Sequence, residues 1–379
     1  MKAVAFTNAM LASEDFEKTL TLQGDLARLA RLIDKAKKGE KIVIAGLGGS
    51  ITEGMSALPQ NTKCYMALVT AWFESEYPAA TVEYVNAGIG STGSIIGVAR
   101  MDKDLLKKKP DLVIVDFACN DSKKTNLETE AYEGVVRRIL SQPQQPAVMT
   151  IFFTNDTFDT VQAKETTIAR KYKIPAISYK DGVQSAIRSG TKKWQNFSSD
   201  AVHPNNKGHE LAADLIIHRI RVADQYLNEI DRTVPPLPET KTRFDQSSLL
   251  NNKNINALSV GAFAASPNTW PNEALKYGWV AKEVDKPLVF ETEAQVLTLV
   301  YKMLIHTANQ PARGALLDVY IDGKKVKTLD ADFPDGWGEY PELITVLDRS
   351  EQTKVKVELK LSPNSPANTQ FMLLAILQS

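Results

Sequence analysis

The chain has 379 residues, more than one typical domain needs, so two domains are expected. Lys+Arg and Asp+Glu both count 45, a formal net charge of +0, which gives no electrostatic ground for nucleic acid or an anionic membrane as partner. Hydrophobic content of 43% is that of a soluble globular protein. Cys64 and Cys119 offer neither a disulfide framework nor zinc spacing, and fit a reducing compartment. No run of about 18 apolar residues occurs, and the N-terminal segment shows no sustained apolar h-region. A cytoplasmic protein is the expectation, although a chain trimmed of its signal would look the same.

Leu26, Leu29 and Ile33 at helical spacing predict a helix over 25–37, stopped by Gly39. Ile42, Val43, Ile44, Ala45 and Leu47 then form an apolar run without helical period, bounded by glycines. That pattern predicts a strand buried on both faces, as in a parallel sheet. It ends in Gly48-Gly49-Ser50, so a serine follows the carboxyl end of a central strand, the edge where open α/β sheets bind ligands.

Three glycine motifs compete for this loop, and all three fail. A P-loop needs Lys-Ser/Thr after its glycines, but no lysine follows until Lys63. A dinucleotide fingerprint needs glycine where Ile51 stands and an acid where the next strand ends in Asn86. A G-x-S-x-G elbow needs glycine at Thr52. What remains is a serine beside glycines that let another molecule approach closely, or an ordinary strand-to-helix turn.

Downstream, a helix is predicted over 61–77, a strand over 81–86, a helix over 95–108 and a buried strand over 111–117. A helix near 128–140, a strand over 147–153, a helix near 161–172 and a strand near 175–179 follow. A last helix is expected over 207–230. This alternation implies an α/β domain, a parallel sheet with helices on both faces, ending near 234. Pro235-Pro236-Leu237-Pro238 reads as a stiff spacer. From about 240 the helical period disappears, and a C-terminal β-sandwich over 240–379 is predicted. Its strands include 288–301, 316–321, 354–361 and the closing FMLLAIL, with Asp322-Gly323 as a hairpin turn.

Only His203, His209, His218 and His306 exist as histidines. His203 lies in a loop before the last helix, and Asp200, three residues earlier, is placed to orient its ring. For the other three, packing or solvent is the expectation. A serine on one loop tip with a histidine and its aspartate on another suits nucleophilic acyl transfer. The oxyanion then needs donors. The turn after the second long strand offers N–H groups of Gly90 and Ser91, and the next turn the amide of Asn120. Each turn alone has a bland reading, a simple turn or a helix cap; their convergence on one sheet edge favours catalysis.

Read together, these blocks resemble the SGNH (GDSL-like) hydrolases. Gly48-Gly49-Ser50-Ile51-Thr52-Glu53-Gly54 looks like the block that carries the nucleophile, and Asn86-Ala87-Gly88-Ile89-Gly90 like the one supplying a backbone donor. Ala118-Cys119-Asn120-Asp121 looks like the asparagine-donor block, and Asp200-Ala201-Val202-His203-Pro204 like the one with acid and base. The resemblance spans 41 to about 225, in the family's order. Gly49 stands where the family usually has aspartate, Ala118 where it usually has glycine, and the donor of the second block falls on Gly90 or Ser91. It implies a three-layer α/β/α fold, catalytic Ser50, Asp200 and His203, and an oxyanion hole of Ser50, Gly90 and Asn120. It requires no metal or organic cofactor. Members with a C-terminal β-sandwich include acetyl esterases of plant polysaccharides, so an acetylated mannan- or xylan-type carbohydrate is the expected substrate. A lipid or thioester acylhydrolase, or a non-catalytic carbohydrate-binding protein, is the alternative.

In the second domain, Asp332 to Tyr340 (DFPDGWGEY) is a loop with three aromatics and no apolar period. Trp337, between two glycines, either plugs the interdomain interface or caps the sandwich, or leans over Ser50 as a substrate-binding wall.

Overall fold

The structure, a computed structural model, describes residues 8–379 except Asp285. It divides into two compact units, the first ending at Thr242 and the second running Arg243–Ser379.

In the first unit, six strands form one sheet: β1 (Leu20–Leu22), β2 (Lys41–Gly48), β3 (Thr81–Gly88), β4 (Leu112–Asp116), β5 (Ala147–Ile151) and β6 (Ala176–Ile177). Their order is β1-β6-β5-β4-β2-β3. All pairs are parallel except the short edge strand β1, which runs antiparallel to β6. The helices are α1 (Ser13–Glu17), α2 (Ala27–Lys37), α3 (Ser50–Glu53), α4 (Gln60–Lys63), α5 (Tyr65–Glu76), α6 (Ser94–Asp104), α7 (Leu127–Leu140), α8 (Gln162–Lys171), α9 (Tyr179–Arg188), α10 (Trp194–Phe197) and α11 (Asn206–Gln225). Ile42, Ile44, Leu112, Ile114, Met149 and Ile151 form one sheet face, packed with Leu29, Ile33, Val69, Leu211 and Ile216 from α2, α5 and α11. Their alternate neighbours Val43, Ala45, Val113, Val115 and Val148 are equally buried, which explains why these strands read as unbroken apolar runs.

Some expectations need correction. The final helix ends at Gln225, five residues before Ile230, where the chain breaks into turns closed by Leu227 N–H to Asp224 and Glu229 N–H to Tyr226. The segment read as a strand over 175–179 is a strand only at Ala176–Ile177; Ser178 then caps α9, its Oγ accepting Asp181 N–H at 2.9 Å. The triple-proline segment is tied to the first unit, because Arg137 Nη1 donates to Pro238 O at 3.2 Å and the Tyr172 and Thr240 hydroxyls meet at 3.3 Å.

The second unit is an antiparallel sheet domain whose ten strands join in one hydrogen-bonded sheet, with one exception to the antiparallel pairing: Asp332–Pro334, expected as part of a loop, is a short strand paired parallel to Leu304–His306. Its two longest strands, Leu288–His306 and Tyr340–Leu361, pair along most of their length, with register shifts at Ala294/Val296 and Leu297/Thr298. Residues from both ends of the first strand, Leu288 and Phe290, then Leu299 and Tyr301, belong to one core. The Asp322-Gly323 hairpin forms as expected, both residues at positive φ (52° and 79°) between Leu316–Ile321 and Lys324–Asp330.

Candidate active site

The site grows from the carboxyl ends of β2, β3 and β4. After Gly48 the chain turns at once into α3, a single turn closed by Glu53 N–H to Gly49 O (2.9 Å) and Gly54 N–H to Ser50 O (3.0 Å). Gly54, at φ 103°, ends the turn in a conformation only glycine takes without strain. A side chain at Gly48 would meet Thr52 Oγ1 at 2.2 Å, and one at Gly88 would meet Glu53 N at 2.1 Å. The glycines therefore press α3 against the strand ends and leave Ser50 at the lip, half-buried.

Beneath the turn, Thr52 donates to Asp116 Oδ2 at 3.2 Å and meets the Tyr65 hydroxyl at 2.8 Å. Arg100, fully buried, donates through Nη2 to Gly48 O (3.2 Å) and Ala87 O (2.7 Å) and through Nη1 to Asp104 (2.9 Å). One guanidinium thus ties the ends of β2 and β3. His209 is buried; its Nδ1 accepts Tyr65 N–H (3.3 Å), which leaves Nε2 to donate to Met55 O (3.2 Å). Burial lowers its pKa to about 4, so it is a neutral structural tether, as expected of a helix-packed histidine.

The loop before α11 carries the candidate acid and base, Asp200 and His203. Asn205 caps α11, its Oδ1 accepting Gly208 N–H at 3.0 Å. The His203 carbonyl is fixed by Ser198 Oγ (2.6 Å) and Ser199 N–H (2.9 Å). Asp200 folds back on the same loop: Oδ1 accepts the N–H groups of Val202 and His203, both at 2.7 Å, and Oδ2 meets His203 Nδ1 at 2.8 Å. Burial alone would raise the Asp200 carboxyl, but these bonds outweigh it and hold its pKa below the usual range. His203 Nε2 lies 2.9 Å from Ser50 Oγ. With Nδ1–H donated to Asp200, Nε2 is left to accept the serine proton.

The structure thus brings Ser50, His203 and Asp200 into one hydrogen-bonded chain. It also brings Asn120 to the nucleophile turn, since a Cβ at Gly49 would lie 2.2 Å from Asn120 Oδ1. The helix-cap reading holds for the neighbour instead: Asp121 Oδ1 accepts Ser94 N–H at the start of α6, at 2.7 Å. The Gly90 N–H is occupied, donating to Glu53 Oε2 at 2.8 Å. Trp337 is 73% exposed, so it fills no core; its indole stacks on Tyr340 (4.8 Å, 19°), with Phe333 edge-on. His218 packs edge-on against Phe16 at 4.7 Å, and His306 lies beside Asp332 in the sheet domain.

Sequence reasoning passed over Glu53, Arg100, Thr52, Asp116 and Trp194, whose indole N–H holds Asp200 O at 2.6 Å. Arg100 alone carried a signal, as an arginine one turn beyond Ile96 on an apolar helix face. Among the described residues no His, Cys, Asp and Glu cluster suits a metal, and no helix is long and apolar enough to cross a membrane.

A serine, histidine and aspartate at the carboxyl edge of a parallel α/β sheet, with an asparagine amide alongside, form the arrangement that a serine-dependent acyl hydrolase requires. The chain belongs to the GDSL-like lipase/acylhydrolase family, which matches over residues 47–211, and is a carboxylic ester hydrolase of SGNH type. Over both units it is similar to a two-domain esterase, CEX, active on acetylated mannans, with 31% identity and a TM-score of 0.85. That match covers 96% of this chain and 98% of the other. The same enzyme co-crystallised with mannopentaose matches at 30% identity and TM-score 0.85, covering 96% and 97%. No curated protein sequence matches.

Proposed function

We propose that the protein removes O-acetyl groups from plant-type oligo- or polysaccharides of the mannan or xylan class, through an acetyl-serine intermediate. The observation that carries this reading is the Ser50–His203–Asp200 chain, at 2.9 and 2.8 Å, in a protein matched along both units by an esterase of acetylated mannans. His203 Nε2 takes the Ser50 proton as Oγ attacks the acetyl carbonyl, and Asp200 stabilises the imidazolium that forms. Ser50 N–H, the Asn120 amide and a backbone N–H of the Gly90–Ser91 turn hold the oxyanion. His203 then protonates the departing sugar hydroxyl, and water, activated by the same nitrogen, hydrolyses the acetyl-enzyme. Trp337 on Tyr340 offers an exposed flat indole suited to the apolar face of a sugar ring, and we assign it to carbohydrate binding.

The test measures acetate release from acetylated mannan and xylan oligosaccharides against hydrolysis of long-chain esters. Faster turnover of the long-chain esters would replace the carbohydrate reading by a lipid acylhydrolase. Ser50→Ala should abolish both activities and leave Tm close to wild type, because a half-buried loop serine contributes little packing. An active Ser50→Ala protein would overturn the mechanism.

A further inference from the structure

One side chain beside Ser50 has no task in that mechanism. Glu53 is the last residue of α3, three positions after the nucleophile. Its main chain is locked: its N–H bonds Gly49 O at 2.9 Å, and its carbonyl accepts Gln60 Nε2 (2.7 Å) and Asn86 Nδ2 (3.2 Å). Its carboxylate spans to another loop and accepts the Gly90 N–H at 2.8 Å. Gly90 is close to the nucleophile, since a Cβ there would lie 3.8 Å from Ser50 Cβ. A carboxylate is a stronger acceptor than a neutral ester carbonyl, so an N–H held this way is withdrawn from the substrate.

The next N–H belongs to Ser91, which sits in the left-handed region at φ 58°. No acceptor among the described residues takes it. A serine tolerates that conformation only where the surroundings enforce it, and the fixed points on either side are visible. Before it, Ile89 N–H bonds Gly48 O (3.1 Å) and Gly90 N–H bonds Glu53; after it, Thr92 Oγ1 bonds Ile89 O at 2.8 Å.

We infer that Glu53 is a positioning residue of the oxyanion hole: by holding the Gly90 N–H it sets the turn so that the Ser91 N–H, in place of that of Gly90, receives the oxyanion. A fixed negative charge near an oxyanion is costly, and Arg100 offsets it. Burial pushes the Glu53 carboxyl above its usual range, while the Gly90 hydrogen bond and the Arg100 guanidinium pull it back towards ionisation.

This inference rests on the acyl-hydrolase reading, and the experiment separates the two. Wild type, Glu53→Ala, Glu53→Asp and Glu53→Gln are assayed on 4-nitrophenyl acetate. Active sites are counted with a fluorophosphonate that labels the serine, so misfolded protein does not enter kcat. Glu53→Ala should lose about 10–100-fold in kcat per labelled site, the cost of a small misplacement of a reacting group's partner, with KM within about twofold. Glu53→Asp, which keeps the charge but withdraws it from Gly90, should show the same loss. Glu53→Gln, whose amide oxygen still reaches the Gly90 N–H, should recover most of it. Unchanged kcat per site in both Glu53→Ala and Glu53→Asp overturns the inference. Raised kcat overturns it too, and makes Glu53 a competitor for Gly90 as the true donor. A wild type that neither turns over nor labels at Ser50 removes the acyl-hydrolase reading and the inference together.

Discussion

Gly49 and Asn120 share one small volume, and the shape of the proposed oxyanion hole follows from it. A Cβ at position 49 would come 2.2 Å from Asn120 Oδ1 and 3.1 Å from its Nδ2. The aspartate usual at this position in the resembling family has no room while Asn120 lies there. The absence of a side chain at 49 is what lets the amide rest against the nucleophile turn, exposed and ready to donate. Asn120→Ala should therefore lower kcat by about 10²–10³, the usual cost of one oxyanion donor, with KM little changed. Steady-state kinetics on a small acetyl ester checks this; a change confined to KM would make Asn120 a substrate ligand instead. At this scale the site was legible where the chemistry lies in residue type: Ser50, Asp200 and His203 stood out because serine, aspartate and histidine in short loop motifs suit few other tasks. Glu53 did not, because a glutamate at the end of a turn is ordinary. Its partner Gly90 lies 37 residues away, and only the fold brings them together.

At the scale of elements, the buried strands announced themselves by unbroken apolar runs, and the helices between them by spacing. What escaped was short or conditional. Strand β1 has three residues and owes its existence to pairing with β6, a long-range contact that no local pattern encodes. Helix α9 follows a two-residue strand and carries Gly182 in its middle, a residue that weakens any helical prediction. Its Ser178 cap was the available signal. The same scale holds a buried acid that sequence alone makes look like a strand end. Asp116 closes β4 under the nucleophile turn, 1% exposed, with Oδ2 taken by Thr52 and Oδ1 without a partner among the described residues. Burial drives its pKa up to about 7, against a partial lowering by the Thr52 hydrogen bond. The folded state therefore holds this proton more tightly than the unfolded chain, whose aspartates titrate near 4. Between about pH 4 and pH 7 the unfolded chain binds fewer protons, so this group's contribution to stability is full at the acid end and declines as pH rises. Asp116→Asn keeps an acceptor for Thr52 and removes the titration. Its Tm should exceed that of wild type at pH 8 by several degrees, and the difference should shrink towards pH 5. Thermal denaturation across that range tests it, and a difference independent of pH would show that Asp116 is not the group that titrates.

For the molecule as a whole, the sequence separated an alternating α/β region from a strand-only region, and most of the long strands were visible as apolar or alternating runs. Lys324–Asp330, exposed at all but Leu329, was implied only by its hairpin turn, and the strand expected over 354–361 in fact begins at Tyr340. The connection of ten strands into a single sheet was not visible, because the pairing of Leu288–His306 with Tyr340–Leu361 is non-local and shifts register through bulges. The loop between the short strand Asp332–Pro334 and Tyr340–Leu361 carries the proposal with most bearing on substrate choice. A buried tryptophan would cost about 3–5 kcal/mol on truncation, but Trp337 is 73% exposed and rests on Tyr340 instead of filling a core. Its neighbours are arranged to leave the indole outward. A side chain at Gly336 would strike the Phe333 ring at 2.2 Å, whereas one at Gly338 would meet nothing within 4 Å. Trp337→Ala should therefore leave the sheet domain folded, with Tm within a few degrees of wild type, as for most surface substitutions. If the indole binds sugar, kcat/KM on acetylated oligosaccharide should fall by an amount equivalent to about 1–3 kcal/mol, the range for an aromatic binding contact. Hydrolysis of 4-nitrophenyl acetate, which presents no sugar ring, should be unchanged. The two substrates assayed on the same preparation decide the matter, because a folding defect depresses both while a lost carbohydrate contact depresses one. Equal loss on both with a lowered Tm would return Trp337 to a structural role and leave the carbohydrate specificity to the first unit alone.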